Sequence, residues 1–85
     1  MKKFTVVLLR HGELSAWAET PYGQNIYVAI GIQATEPMLA VQAAKQEAYK
    51  ADKKDGAPSV SLEMYELCVA FEGEHHPKLF GWQAH

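Results

Sequence analysis

Several residue types that would announce a chemistry are nearly absent from this chain of 85 residues. It has one cysteine, Cys68, which excludes an internal disulfide framework and any metal site built on several thiolates. Arg10 is its only arginine, so bidentate recognition of a phosphate or carboxylate has a single candidate. Neither sign of charge dominates: eight Lys or Arg stand against ten Asp or Glu, a net −2 that supplies no basic face for nucleic acid. Trp17, Tyr22, Tyr27, Tyr49 and Tyr65 lack the interleaved cations of a base-stacking surface, and packing is the better account of them. No apolar run is long enough to span a membrane. Lys2, Lys3 and the run Phe4 to Leu9, followed by Ala16 to Ala18, imitate a secretory signal, but Arg10, His11 and Glu13 interrupt the apolar core such a signal needs. Together with the lone cysteine, this places the expected location in the cytoplasm. Repeats, heptads and low-complexity segments are missing too.

What is present suffices for one packed domain, residues 1–85, with 73–85 as a C-terminal tail. The apolar fraction of 48% supports a core, while the length leaves room for only one. Phe4 to Leu9 is a continuous apolar, β-branched run, the pattern of a strand covered on both faces. His11 to Gly23 reads as a connection. Alternation from Ile26 to Gln33 then sets Ile26, Val28, Ile30 and Ile32 on one side of a second strand, and Tyr27, Ala29, Gly31 and Gln33 on the other.

Thr35 is the expected N-cap of a helix over about 36–52, with Pro37 in its first turn. Met38, Val41, Ala44, Ala48 and Ala51 form its inward stripe, and Gln42, Gln46, Lys50 and Lys53 its outer side. Lys50, Lys53 and Lys54 suit the negative helix end, and Gly56 stops the helix. The run from Ser61 to Gly73 reads as the last strand, with Tyr65, Leu67, Val69 and Phe71 on one face and Glu66, Cys68, Ala70 and Glu72 on the other. The expected fold is therefore α+β: a three-stranded sheet in the order β-β-α-β, first strand central, with one helix on one face. A right-handed crossover makes the second and third strands parallel to each other and the first antiparallel to both.

Two stretches invite a chemical reading. Arg10-His11-Gly12-Glu13, at the end of an apolar strand, resembles the histidine phosphatase superfamily, the phosphoglycerate mutase-like enzymes. The resemblance touches Trp17, which stands one place later than in the family, and Gly31 to Ala34, one residue short of the family's G-x-x-Q-A. It implies phosphate binding by Arg10 and phosphorylation of His11, with His75 or His76 in place of the family's second histidine. Phosphoryl transfer spreads charge over several oxygens and calls for several converging donors. This chain has no second arginine to supply them.

The second stretch gathers Cys68, Glu72, Glu74, His75 and His76, all competent metal ligands by type. Adjacent histidines in an extended segment point to opposite sides, so at most one of His75 and His76 joins a given site with Glu72. Cys68, between Leu67 and Val69, reads as a small semi-buried thiol.

The favoured expectation is a non-catalytic accessory or regulatory domain acting through protein–protein contact, as a homodimer or with another protein, without cofactor, nucleic acid or membrane. One helix covers one face of a three-stranded sheet, and Leu79, Phe80 and Trp82 in the tail offer apolar contact surface for the other. The alternative is a phosphate-handling enzyme or phosphate-ester binder of histidine phosphatase type using Arg10 and His11.

Overall fold

A computed structural model describes residues 1–12, 14, 25–57 and 60–74. Strand β1 (Lys2–Arg10) is central, flanked by β2 (Ile26–Ala34) and β3 (Tyr65–Glu72), each antiparallel to it. Helix α1 (Pro37–Lys54) packs on one face of this sheet. The order β2-β1-β3 is the expected one. It follows from the burial of β1 on both sides: Phe4, Val6 and Leu8 point into the helix-side core, while Thr5 and Val7, pointing the other way, are also fully buried.

The helix row differs from the sequence reading at its two ends. Ala40, Val41, Ala44, Ala48 and Asp52 are the buried residues, so the row continues at Asp52 where Ala51 was expected, and Met38 is exposed. A row of alanines brings the helix backbone close to the sheet, against Val6, Leu8 and Ala29, with Leu14 sealed into the same core. Glu36, not Thr35, is the N-cap; its backbone is extended and its side chain makes no capping bond. Pro37 tolerates this start because its missing N–H is one that a first turn leaves unsatisfied. At the other end Asp55 N donates to Ala51 O at 3.0 Å and Gly56, with φ of 90°, donates to Lys53 O at 3.1 Å. Lys53 and Lys54 lie beside the negative helix end.

Both edge strands carry a bulge, and each reassigns the side chains that follow it. In β2 the register shifts where Phe4 faces Ile32 and Thr5 faces Ile30, leaving Gly31 as the extra residue with φ of 82°. Ile32 therefore packs with Tyr27 and Ala29 on the helix side, whereas strict alternation had grouped it with Ile30. In β3 the shift falls where Val7 faces Val69 and Leu8 faces Leu67, with Cys68 extra. Ala70 thus joins the helix-side core, and Val69 and Phe71 go to the opposite face instead of sharing one with Tyr65. The strand also begins later than its apolar pattern suggested, because Leu62–Met64 form a 3-10 turn.

The alanine row yields a direct test. Ala44→Leu and Ala48→Leu should each destabilise the fold by about 1–3 kcal/mol through overpacking, while Ala43→Leu, one step round on the exposed side, should stay within about 0.5 kcal/mol. Urea unfolding of the three variants measures this; equal midpoints would mean the helix faces the sheet differently.

Candidate functional site

Arg10 is the last residue of β1, and its even position along the strand turns it to the helix side. There it meets Asp52, in the last turn of α1. Arg10 Nε donates to Asp52 Oδ2 at 3.1 Å and Nη2 to Oδ1 at 2.9 Å, a bidentate pair with side chains only 4% and 3% exposed. Tyr65, opposite Arg10 at the start of β3, donates its hydroxyl to Asp52 Oδ2 at 2.6 Å. Arg10 Nη1 donates to the Ile26 carbonyl at 3.3 Å, and the guanidinium lies 5.1 Å from the centre of the Tyr27 ring. Tyr27 in turn donates to Glu47 Oε1 at 2.9 Å.

All three strands and the helix meet at this one corner. Both oxygens of the Asp52 carboxylate are occupied, and among the described residues no buried side-chain polar atom lacks a partner. Burial, then the bond to Asp52 and its charge, raises the ionisation of the Tyr65 phenol well above the ordinary tyrosine range. Burial, then Glu47, does the same to Tyr27. The corner is thus a neutral pair of phenols around a closed ion pair, chemically a brace.

The other residues singled out by sequence lie apart from it. His11 leaves the sheet end, held by a backbone bond from its N–H to the Met64 carbonyl at 2.8 Å. Its ring Nε2 is 2.5 Å from Glu66 Oε1, both side chains about half exposed or more. A phosphate approaching that nitrogen would meet the carboxylate first. Glu72 lies 3.9 Å from Lys2 Nζ at the far end of the sheet. His75, His76, Leu79, Phe80 and Trp82 lie outside the described residues, as do Trp17 and Tyr22. Among the described residues no group of three or more His, Cys, Asp or Glu side chains is placed to hold a metal. Cys68 is exposed, and partial burial, then the Glu66 charge, raises its thiol above the usual value, which keeps it protonated and a poor nucleophile. A shallow depression of about 160 Å³ between Gln42, Lys45, Gln46 and Leu62 brings no converging polar groups of a catalytic kind.

The second face of the sheet is largely apolar. Beside Thr5, Val7 and Leu9 it presents Ile26, Val28 and Ile30 from β2, and Val69 and Phe71 from β3. Ile30 and Val69 are 38% and 40% exposed. Among the described residues no helix is long and apolar enough to cross a membrane. Comparison with protein-family models, curated proteins and solved structures finds no match.

Sequence reasoning found Arg10 and missed its partner. The signal was the spacing: Ala40, Ala44, Ala48 and Asp52 stand four apart on one helix row, and the chain holds a single arginine for a carboxylate buried at the end of that row.

Two outcomes follow from the corner. Removing one member of a buried pair strands the other, so Arg10→Met or Asp52→Leu alone should cost about 3–5 kcal/mol, whereas the double variant should recover most of that loss. Chemical denaturation of the four proteins measures the coupling; simple additivity would mean that the two charges do not depend on each other. The raised phenols contribute stability that is full below the ordinary tyrosine range, about pH 10, and that is lost as pH rises above it. Tyrosinate absorbance should therefore include a portion that appears only with loss of the helical circular dichroism signal, and Tyr27→Phe with Tyr65→Phe should remove it. All four tyrosines titrating with a midpoint near the ordinary value of about pH 10 while the fold stays intact would refute this.

Proposed function

We propose that this protein is a small non-catalytic α+β domain that works through protein–protein association, as an accessory or regulatory component, with a second copy of itself as the favoured partner. The observation that carries the reading is the apolar second face, where Ile30 and Val69 flank the buried Thr5 and Val7 and both expose more than a third of their surface. Val28, Leu9 and Phe71 extend the same face in half-buried positions. Exposed apolar side chains gathered on one face in this way support a reading as a contact site.

The edges are poorer candidates. A bulge in each edge strand, at Gly31 and at Cys68, breaks the straight row of backbone donors and acceptors that an added strand would need. Association by face, with Leu79, Phe80 and Trp82 as further contact residues, fits that geometry. A closed two-fold pair is the commonest oligomer, and a standard interface of roughly 1,600 Å² would add stability that a domain of this size lacks. A lone cysteine, with no partner in the chain for a disulfide, fits a reducing compartment such as the cytoplasm.

The phosphate-handling alternative draws no support from Arg10, whose bidentate edge faces Asp52, or from His11, whose Nε2 faces Glu66. Among the described residues Glu72 belongs to no group of three or more side chains that could hold a metal.

Light scattering across micromolar to millimolar concentration tests the association. The intact chain should form dimers, and Ile30→Lys with Val69→Lys should abolish them while leaving the circular dichroism spectrum unchanged. A monomer at every concentration, for the intact chain and for one ending at Pro77, would sink the proposal.

A further inference from the structure

The described lysines and the arginine divide into two sets. Off the helix each has a carboxylate: Lys2 Nζ lies 3.9 Å from Glu72, Lys3 Nζ 3.4 Å from Glu74, and Arg10 closes on Asp52. On α1, no carboxylate among the described residues pairs with Lys45, Lys50, Lys53 or Lys54. The helix's own acids are engaged elsewhere, Glu47 by the Tyr27 hydroxyl and Asp52 by Arg10. Helix geometry then sorts these lysines. At about 100° per residue, Met38, Gln42, Lys45, Gln46, Tyr49 and Lys53 share one flank, and no acid stands among them. Lys53 Nζ lies 5.6 Å from the centre of the Tyr49 ring. The 3-10 turn Leu62–Met64 borders this flank, and between them lies the depression of about 160 Å³ lined by Gln42, Lys45, Gln46 and the exposed Leu62. The turn contributes one acid, Glu63; the cations are all on the helix side.

We propose that this groove docks an acidic segment of a partner protein, seating one aliphatic side chain against Leu62 and placing carboxylates on Lys45 and Lys53. The volume is below that of a pocket for a drug-sized ligand, roughly 300 Å³ or more, and suits a single side chain. Eight residues of helix separate the two lysines by roughly 12 Å, which an extended segment spans in about four residues. Gln42 and Gln46 are exposed and offer amides that can both donate to and accept from a peptide backbone. A phosphate backbone is the poorer match, because the one arginine is closed in its buried pair. The groove lies on the helix side and the association face on the other, so this contact goes beyond pairing with a second copy and does not depend on it.

The experiment titrates the full chain, labelled with nitrogen-15, with a synthetic peptide that carries one leucine between runs of glutamate. Amide shifts are expected to saturate and to centre on Gln42, Lys45, Gln46 and Leu62. Lys45→Glu should weaken binding about ten-fold, since it sets like charges together, and Leu62→Ser about five-fold. Lys2→Glu, which changes the net charge equally at the far end of the sheet, should leave it unchanged. Replacing the peptide's leucine by serine, or its glutamates by glutamine, should weaken it as well. Shifts that never saturate, or that centre away from Leu62, would overturn the proposal. So would equal losses from Lys45→Glu and Lys2→Glu, or an unaltered affinity for the peptide without leucine. Tighter binding at the same residues by duplex DNA or by phosphatidylserine vesicles would overturn the choice of a protein segment.

Discussion

The bond between Arg10 and Asp52 takes two full charges out of water, and such a pair is tolerated only where its geometry leaves nothing unmatched. Here the fork of the guanidinium meets the carboxylate edge on, Tyr65 fills the remaining demand at Oδ2, and the Ile26 carbonyl receives Nη1. Everything else in the packing is permissive by comparison. Ala40, Ala44 and Ala48 let the helix approach the sheet closely, but a smooth row of methyl groups has few features to stop it sliding or turning. The ion pair at the end of that row admits one position. It joins the last residue of the central strand, the last turn of the helix and the first residue of β3, so it fixes the helix over the sheet and the start of the returning strand together.

That use of Arg10 also bears on the Arg-His-Gly-Glu stretch. A guanidinium that closes a buried pair presents little to a ligand, and the neighbouring imidazole is turned to Glu66 on the surface. The same four letters can thus end a strand for reasons of packing. Alternation alone sends residue 10 toward the helix and residue 11 out of the sheet. Distinguishing the two cases needed the location of one carboxylate, forty-two residues away in the chain.

Much of the fold was legible because it depends on counts that survive small errors. A run of six residues, five apolar and three β-branched, reads as a strand buried on both sides in a domain with one helix, and that places β1 at the centre. The failures cluster where a single residue changes the count. Asp52 falls outside a stripe built from apolar residues alone, although its spacing of four from Ala48 continues the row. The faces of β2 and β3 were misassigned beyond Gly31 and Cys68 because an inserted residue reverses a period of two for all that follows. A glycine inside an alternating strand is a warning of this kind; a cysteine carries none. The second face was legible only as a need for cover, and which side chains form it depended on those same bulges.

Gly31 links these observations. Its positive φ permits the bulge that spoils β2 as an edge for strand addition, and its missing side chain leaves the space in which the Glu74 carboxylate lies. A larger residue there would meet strain from the backbone first, because the carboxylate is the far end of a flexible chain and can move aside. The edge is blunted, and the Glu74 carboxylate is admitted, by one residue at one position. A sheet whose edges resist pairing keeps Ile30 and Val69 partly exposed on the face away from the helix. Whatever occupies that face, from within the chain or from outside it, has to match the ladder of Ile30, Val28, Val7 and Val69.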